Sequence, residues 1–328
     1  RQAGFGEVRV SPRMVYAEAM ARYGSDRPDL RFGLTIADLS GRFGDSGFRG
    51  FKEAVATGGV VRGFVLPGGA SSSRKQVDDW TALARRAGAA GIVTLKRQNG
   101  ETVFQVKNSL AEAEVAGAAA ALALAEGDMA LLAAGPADIV ANALGTLRLE
   151  IARSHGLIPT GSHRFLWVTE FPLVSWSAED QRWAANHHPF TSLDPRDLGH
   201  LETAPGKVRA RAYDVIWNGT ELGGGSIRIH DSALQERVFR LLGVEREEAE
   251  ARFGFLLEAL RHGAPPHGGI ALGLDRMIML MVGAPSIRDV IAFPKTTSAT
   301  CLMTAAPSKV DERQLRDLGI ATLPTLPS

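Results

Sequence analysis

The chain has 328 residues, of which 45% are hydrophobic and 22% are charged, and its formal net charge is +1. This composition is typical of a globular enzyme with one large or two smaller domains, and it argues against disorder over most of the length. The small net charge excludes a basic field over the whole surface, so any contact with RNA must be local.

The sequence also excludes several kinds of structure. A single cysteine, Cys301, excludes an internal disulfide and every zinc site built from several cysteines. No apolar run approaches the roughly 20 residues that a membrane-spanning helix needs, so we expect a cytoplasmic protein without membrane contact. Because the first residue is Arg1 rather than methionine, we expect the sequence to begin inside a longer protein.

The first half of the chain predicts a mixture of helices and strands. A short helix over 15–23 precedes a turn, and an α+β module follows from about residue 33. Ser72 or Ser73 is the expected N-cap of a helix, and Pro136 is expected at the first position of another. The module has predicted strands at 60–66, 92–96 and 129–133 and predicted helices at 74–87 and 110–124.

The second half changes to aromatic-rich β segments. These segments indicate a larger antiparallel sheet, followed by two helices and a strand-to-helix junction. The predicted strands lie at 165–171, 208–217 and 221–230, the helices at 233–242 and 245–262, and the junction at 269–281. The fold class that these patterns predict is α+β.

A β-hairpin is predicted at Asn218–Gly219, since this dipeptide between two β-rich segments favours a two-residue turn. In the simplest register Ile216 faces Glu221 and Asp214 faces Gly223, and Asp214 and Glu221 share one face of the sheet. Two carboxylates on one face repel each other unless a cation lies between them, and Mg²⁺ bound to nucleotide phosphates is the natural candidate. Two unrelated acids on a solvated face explain this pattern equally well.

Gly223, Gly224 and Gly225 follow in the same strand, where glycine is unfavourable. They suggest a β-bulge or the close approach of a flat ligand. A bulge would shift the alternation of side chains and allow Arg228 to reach the same cavity as Glu221. An arginine there can bind the carboxylate of an acidic amino acid through two hydrogen bonds, although an exposed sheet arginine is the alternative.

A strand followed by a helix is predicted over 265–280, with Asp275 as the N-cap of the helix. Arg276 would lie in the first helical turn, where a cation is disfavoured unless it binds a phosphate together with the helix amides. Gly269 and Gly273 would leave space for a base or a ribose. The alternative is an ordinary strand–turn–helix connection with an exposed arginine.

Two adjacent histidines, His187 and His188, lie in a predicted loop. They could bind a metal, but adjacent side chains point in different directions and no third ligand is evident. Hydrogen bonding to a substrate is the favoured function, and a structural role is the alternative.

Together these motifs resemble the C-terminal catalytic half of bacterial aspartyl-tRNA synthetases. One of them, 273–276, would alone indicate only the class II synthetases, whereas the combination is more specific. The resemblance is carried by residues 22–31, 187–191, 221–230, 253–256, 273–276 and 288–295.

The resemblance implies an antiparallel class II sheet flanked by helices, with a smaller inserted α+β domain of the GAD type. Residues 1–32 would be an N-terminal piece of the catalytic domain, 33–147 the inserted domain, and 148–328 the C-terminal portion of the catalytic domain. The anticodon-binding barrel and the first two class II motifs would lie upstream of Arg1.

The resemblance also implies the cofactors, ATP and Mg²⁺, and the residues that bind them. Asp214 and Glu221 would hold Mg²⁺ on ATP, and Arg276 would contact the ATP phosphates. Glu221 and Arg276 are the expected catalytic residues. The ATP site would further include four glycines, namely Gly223, Gly224, Gly225 and Gly273.

For the amino acid L-aspartate, the resemblance implies that Arg228 binds the side-chain carboxylate and that His187 or His188 helps to close the site. The implied reaction forms aspartyl-adenylate and transfers the aspartyl group to the tRNA of aspartate, with the tRNA of asparagine as a further candidate. No nucleophilic side chain is needed, because the enzyme positions its substrates and neutralises charge. A homodimer is implied for the full-length enzyme.

Three interpretations stay open from the sequence. The chain is part of an active synthetase, or it is a non-catalytic fragment or paralogue that binds a nucleotide, an amino acid or tRNA. In the third, the inserted domain is the functional part and binds tRNA or a protein. The basic pairs 74–75 and 85–86 could contact RNA, but exposed helices often carry such pairs.

Overall fold

The computed structural model describes residues 11–323. From residue 11 to residue 154 the elements are β1 (Arg13–Val15), α1 (Tyr16–Tyr23), β2 (Ala37–Asp38), α2 (Arg49–Ala56), β3 (Val60–Leu66), α3 (Arg74–Arg86), β4 (Val93–Gln98), β5 (Glu101–Phe104), α4 (Glu112–Ala121), β6 (Met129–Gly135) and α5 (Ala137–Ser154). From residue 155 onwards they are β7 (Phe165–Thr169), β8 (Val174–Ser177), β9 (Arg182–Ala185), β10 (Ala212–Trp217), β11 (Thr220–Ile227), α6 (Ser232–Leu241), α7 (Arg246–Arg261), β12 (Gly268–Leu272), α8 (Leu274–Val282) and α9 (Glu312–Asp317).

Two five-stranded sheets organise the unit that ends at Leu272. The first sheet has the order β1-β7-β10-β11-β12, in which β1 runs parallel to β7 and the other neighbours pair antiparallel. The second sheet has the order β2-β3-β6-β4-β5 and is antiparallel throughout. The fold is therefore mixed α+β, as the sequence predicts.

Helices cover both faces of the second sheet, and strand β6 shows the consequence. Met129 and Leu131 pack into the cluster that includes residues of α3 and α5, whereas Ala130 and Leu132 pack into the opposite cluster with residues of α2 and α4. Alternate residues of β6 are thus buried on both faces. This explains why the strand is an unbroken apolar run in the sequence.

The backbones of α1 and α5 touch at two glycines. A Cβ atom on Gly24, whose φ is +66°, would lie 2.2 Å from the carbonyl oxygen of Ala141. A Cβ atom on Gly145 would lie 2.4 Å from the carbonyl oxygen of Gly24. Any larger side chain at either position would force the helices apart.

The predicted domain boundary between residues 147 and 148 falls within α5. The division of the chain into three parts stays a prediction.

Arg148 of α5 is buried, with only 1% of its surface exposed. Its guanidinium lies over the rings of Tyr23 and Phe32, at 4.8 and 4.3 Å from their centroids. Burial lowers the pKa of Arg148 to about 10. The guanidinium donates hydrogen bonds of 2.9–3.3 Å to the carbonyl oxygens of Asp29, Phe32, Gly33 and Leu34. Arg148 therefore ties α5 to the segment that follows α1.

The predicted helices and strands named above are confirmed in kind, with ends shifted by a few residues. Ser73 caps α3 in a reciprocal pair of hydrogen bonds with Gln76, as one of the two serines was expected to do. The prediction for Pro136 is wrong by one position, because α5 begins at the next residue. Helix α2 and the β8–β9 hairpin were not predicted, although the buried residues Phe51 and Ala54 of α2 have helical spacing.

Residues 273–323 belong to the other unit of the chain, which contains α8 and α9. The predicted N-cap at Asp275 is wrong, because α8 begins at Leu274 and Gly273 takes the cap position. The amide of Gly283, in the left-handed region, donates to the carbonyl of Met279 and ends the helix. Along 11–323, no helix is long and apolar enough to cross a bilayer.

Candidate functional site

The β10–β11 hairpin places the two candidate carboxylates on one face of the first sheet. Ile216 pairs with Glu221, as predicted, but a β-bulge then shifts the register so that Asp214 faces Gly224. The predicted pairing of Asp214 with Gly223 is therefore wrong by one residue. Ile216 and Asp214 are two residues apart in one strand, so Asp214 and Glu221 point to the same side.

The turn of this hairpin is formed by the two predicted residues. Asn218 and Gly219 both adopt left-handed conformations, with φ of 52° and 78°. Two such residues in succession are what a type I′ turn requires, and asparagine and glycine tolerate this region best. The tip lies close to the segment after α1, because a Cβ atom on Gly219 would be 3.1 Å from Cβ of Asp29.

The electrostatics of the site confirm that its acidic groups are neighbours. Burial raises the pKa of Asp214 to about 6, with further contributions from the negative charges of Glu221 and Asp26. Partial burial lowers the pKa of His187, and the charge of Glu221 acts in the opposite direction. Sequence reasoning did not single out Asp26, although it lies within the stretch 22–31 that contributes to the resemblance.

The three glycines of β11 allow close contacts inside the protein. A Cβ atom on Gly223 would lie 2.0 Å from the carbonyl oxygen of Ala271, and one on Gly225 would lie 1.8 Å from that of Gly269. A Cβ atom on Gly224 would lie 2.0 Å from Oδ1 of Asp214. The close approach that these glycines permit comes from strand β12 and from a site carboxylate.

Arg228 lies just beyond β11 on the same face as Asp214, because Gly224, Ser226 and Arg228 alternate along the chain. Its Nη1 donates to Oγ of Ser226 at 2.8 Å and to Nδ1 of His188 at 3.3 Å. The bulge thus brings Arg228 to the carboxylate side of the sheet, as the sequence predicted. Ser226 is 2% exposed, so it forms a rigid support beneath the guanidinium.

The hydrogen bonds of His188 define its tautomer. Nδ1 faces two donors, Nη1 of Arg228 at 3.3 Å and the amide of Phe190 at 3.2 Å. Nδ1 must therefore accept, and the proton of the neutral ring lies on Nε2. Burial and the positive charge of Arg228 lower the pKa of His188, with a smaller contribution from His187. The ring is accordingly neutral near pH 7 and offers one N–H donor.

The loop that carries both histidines is anchored by Phe190. Its ring packs edge to face against Phe239 of α6 and Phe253 of α7, with centroid distances of 6.0 and 5.1 Å. His187 packs edge to face against Phe171 at 5.2 Å. The histidines therefore occupy defined positions in spite of the irregular backbone.

A cavity of about 340 Å³ opens beside Arg228 and His188. Leu256, Leu260 and His267 line other parts of its wall. The cavity combines an apolar lining with the guanidinium of Arg228 and the imidazoles of His188 and His267, which is a suitable environment for a small polar ligand with a negative group.

The remaining candidates, Gly273 and Arg276, belong to the unit formed by residues 273–323. Gly273 caps α8, and Arg276 is the third residue of the helix, so its predicted place in the first turn is confirmed. Their role in binding ATP stays a prediction.

A divalent cation is compatible with the pair Asp214 and Glu221. Burial is the main cause of the raised pKa of Asp214, and the negative charge of Glu221 adds to it; a cation at this pair would relieve the repulsion between the two carboxylates. In the described part of the chain, no three or more His, Cys, Asp or Glu side chains are grouped to hold a metal. A cation at this pair would therefore complete its coordination with phosphate oxygens or water.

Comparisons with known proteins identify the family of the chain. The family model for class II tRNA synthetases (D, K and N) matches residues 7–297. The chain therefore belongs to this family of class II tRNA synthetases.

Two curated relatives and one solved structure illustrate the similarity. The aspartate–tRNA(Asp/Asn) ligase of Caldanaerobacter subterraneus subsp. tengcongensis is 48% identical over 308 residues, which are 94% of this chain and 52% of that protein. The aspartate–tRNA(Asp/Asn) ligase of Nitratidesulfovibrio vulgaris is 50% identical over 312 residues, which are 94% of this chain and 50% of that protein. The aspartyl tRNA synthetase structure from Entamoeba histolytica is 28% identical, covers 46% of this chain and 25% of that chain, and has a TM-score of 0.32. The chain spans about half the length of the curated relatives that it matches.

Proposed function

We propose that this chain is the part of an aspartate–tRNA ligase that binds ATP and L-aspartate and supports the formation of aspartyl-adenylate. The observation that carries the proposal is the position of Arg228, held by Ser226 and His188 on the same sheet face as Asp214 and Glu221. Curated relatives at 48% and 50% identity, which are named aspartate–tRNA(Asp/Asn) ligases, support it.

In the proposed reaction, the α-carboxylate of aspartate attacks the α-phosphate of ATP, forming the mixed anhydride and releasing pyrophosphate. Arg228 binds the side-chain carboxylate and so orients the amino acid for this attack. The neutral His188 ring supports Arg228 through Nδ1 and can donate from Nε2 without adding a second positive charge to the pocket. His187, whose pKa is also lowered, would help to enclose the amino acid.

On the nucleotide side, we propose that Asp214 and Glu221 hold Mg²⁺ bound to the phosphates. A cation held by these two carboxylates would supply positive charge that offsets the negative charge of the phosphates. Gly223, Gly224 and Gly225 would form the wall of the nucleotide site. By the resemblance, Arg276 would contact the ATP phosphates, and Gly273 would leave space for a base or a ribose. The close packing of β11 against β12 and Asp214 keeps this wall rigid.

The resemblance and the names of the relatives also support a proposal about the tRNA substrate and the oligomeric state. The complete enzyme would transfer the aspartyl group to the tRNA of aspartate, and also to that of asparagine, as those names state. It would be a homodimer, with residues 33–147 as an inserted domain between two parts of the catalytic domain. Aminoacylation assays of the complete gene product with each of the two purified tRNAs test this part of the proposal.

The binding proposal is tested by calorimetric titration of this chain. The ligands are ATP with Mg²⁺ and two non-hydrolysable adenylate analogues, aspartyl and asparaginyl. We expect the chain to prefer the aspartyl analogue, and we expect Arg228→Ala to remove this preference because the guanidinium pairs with the charged carboxylate. Glu221→Ala should weaken ATP binding in the presence of Mg²⁺. Arg211→Ala, which changes an exposed residue, is the matched control.

The outcomes separate the principal functions. Loss of the aspartyl preference in Arg228→Ala, with normal behaviour of Arg211→Ala, supports the synthetase pocket. A folded parent chain that binds none of the three ligands contradicts the proposal and favours a non-catalytic fragment.

A further inference from the structure

The guanidinium of Arg228 has some donors that the protein uses and others that it leaves open. Nη1 carries two hydrogens and faces two acceptors, Oγ of Ser226 at 2.8 Å and Nδ1 of His188 at 3.3 Å. Within residues 11–323, Nε and Nη2 of Arg228 donate to no group. Of the five hydrogens of a guanidinium, three therefore stay available to a ligand.

These open hydrogens define how a carboxylate can approach Arg228. A carboxylate can meet a guanidinium end-on, through both Nη atoms, or side-on, through Nε and Nη2. The end-on approach needs a hydrogen of Nη1, and Ser226 and His188 engage that nitrogen. The side-on approach uses only hydrogens that the protein leaves open. The cavity of about 340 Å³ that Arg228 lines offers space for a small ligand.

Arg209 shows the same division of donors with its carboxylate in place. Its Nε and Nη2 bind the two oxygens of Asp197 at 2.8 and 2.9 Å, and its Nη1 donates to Oε2 of Glu170 at 2.9 Å. Arg237 likewise binds Glu202 side-on, through Nε at 2.8 Å and Nη2 at 3.0 Å. A side-on carboxylate, with Nη1 held by a second acceptor, is thus an arrangement that this protein forms elsewhere.

Ser226 holds Nη1 from a fixed position in the sheet. Its side chain is buried, and its Oγ also lies 3.5 Å from Oγ1 of the buried Thr191. Ser226 belongs to the middle of three paired strands, between Ala212 of β10 and Gly269 of β12. Loss of its hydroxyl would release one hydrogen of Nη1 even while His188 stays in place. The end-on approach would then become open.

We propose that Arg228 binds the side-chain carboxylate of aspartate side-on, through Nε and Nη2, and that Ser226 is the positioning residue that imposes this mode by occupying Nη1. That the carboxylate belongs to aspartate rests on the proposed function. Side-on binding presents two hydrogens to two acceptor oxygens. The side-chain amide of asparagine has one oxygen and one NH₂ group, so it satisfies one hydrogen and places a donor against the other.

Proton NMR of the Arg228 Nε–H group distinguishes the two modes. The signal is assigned by its absence in Arg228→Ala. We expect the aspartyl-adenylate analogue to move it downfield in the parent chain, because this hydrogen enters a bond to a charged oxygen. We expect a clearly smaller shift in Ser226→Ala, since end-on complexes leave Nε–H open. An equal shift in Ser226→Ala overturns the role of Ser226.

Two outcomes separate this proposal from the proposed function. An analogue that binds by calorimetry without moving the Nε–H signal overturns the side-on mode and leaves the proposed function intact. Acetate is the second probe, because it carries a carboxylate and nothing else of the substrate. If acetate moves the signal but the chain binds no analogue, the proposed function fails and the side-on mode stands. If neither probe moves the signal, the side-on mode is overturned.

Calorimetry measures what Ser226 contributes to specificity. We expect Ser226→Ala to weaken binding of the aspartyl analogue roughly tenfold and of the asparaginyl analogue by less than about twofold, because only the carboxylate needs both donors in place. In the Arg228→Ala background, the same change should alter affinity by less than about twofold, as expected for a residue that acts through Arg228. Equal losses with and without Arg228 indicate a general structural role and contradict the proposal. Ser192→Ala removes another buried hydroxyl, which donates to the carbonyl of Leu193, and is the matched control.

Discussion

Replacing Arg148 with methionine should destabilise the fold substantially and locally. The guanidinium is 1% exposed and donates to the carbonyl oxygens of Asp29, Phe32, Gly33 and Leu34. Methionine can fill much of the same space but has no donor. The carbonyls would be left buried with fewer hydrogen bonds, and the contacts with two aromatic rings would weaken.

The magnitude follows from terms of opposite sign. Each carbonyl that loses a donor costs about 1 kcal/mol, and the two ring contacts together contribute about 1–2 kcal/mol. Burial of the charge opposes folding by about 3 kcal/mol, judged from the pKa of Arg148, which burial lowers to about 10. Methionine removes this penalty. The net expected loss in the free energy of unfolding is about 2–3 kcal/mol.

Equilibrium urea unfolding of the parent chain and of Arg148→Met measures this loss. Arg153→Met is the matched control, because Arg153 lies near the end of the same helix and is exposed. We expect the control to change stability by less than about 0.5 kcal/mol. An Arg148→Met variant as stable as Arg153→Met would refute the view that this guanidinium holds the segment after α1.

Three further predictions concern the site. Gly224→Ala should weaken binding of ATP with Mg²⁺ at least tenfold by calorimetry, because its Cβ would lie 2.0 Å from Oδ1 of Asp214. Gly199→Ala, an exposed position with open space around the new atom, is the control and should bind normally. Arg228→Lys keeps the positive charge but loses the planar guanidinium, so the aspartyl analogue should bind roughly 10–100-fold more weakly while the affinity for ATP changes little. If the variant binds the analogue as tightly as the parent does, a bidentate contact is excluded. Burial and the charge of Glu221 raise the pKa of Asp214 to about 6. Between about pH 4 and pH 6 the carboxyl is therefore protonated in the folded state and ionised in the unfolded state, so the parent chain loses stability as the pH rises through this range. In thermal unfolding, Asp214→Asn should therefore be more stable than the parent above pH 6, by roughly 1–2 kcal/mol after allowance for solvent screening. Below about pH 4 the two chains should be equally stable. A constant difference in stability across this range would mean that the pKa of the carboxyl is not perturbed.

Local chemistry accounts for the features that the sequence predicts well. The Asn218–Gly219 turn, the cap at Ser73 and the apolar strand β6 depend on residues that are close together in the chain. Their geometry follows from backbone preferences and from the spacing of apolar residues. The pairing of Ile216 with Glu221 needs only the turn and the antiparallel register, so it too could be predicted.

Register beyond the turn could not be read from the sequence. The bulge next to Ile216 changes the partner of Asp214 from Gly223 to Gly224, because one additional residue enters the strand there. Similarly, the capping position of α8 depends on where β12 ends rather than on the residue type at Asp275. The sequence suggested a bulge near the glycines, but its position depends on packing against neighbouring strands.

By itself, the sequence determined the α+β class, the hairpin turn and the family resemblance, because each depends on residue types at short spacings. Only the tertiary structure decided which groups share the site. Asp26 and Asp214 lie far apart in the chain, and Arg148 reaches carbonyls more than 110 positions away. Such contacts are set by the packing of whole elements, and no local pattern in the chain encodes the direction in which a buried polar side chain finds its partner.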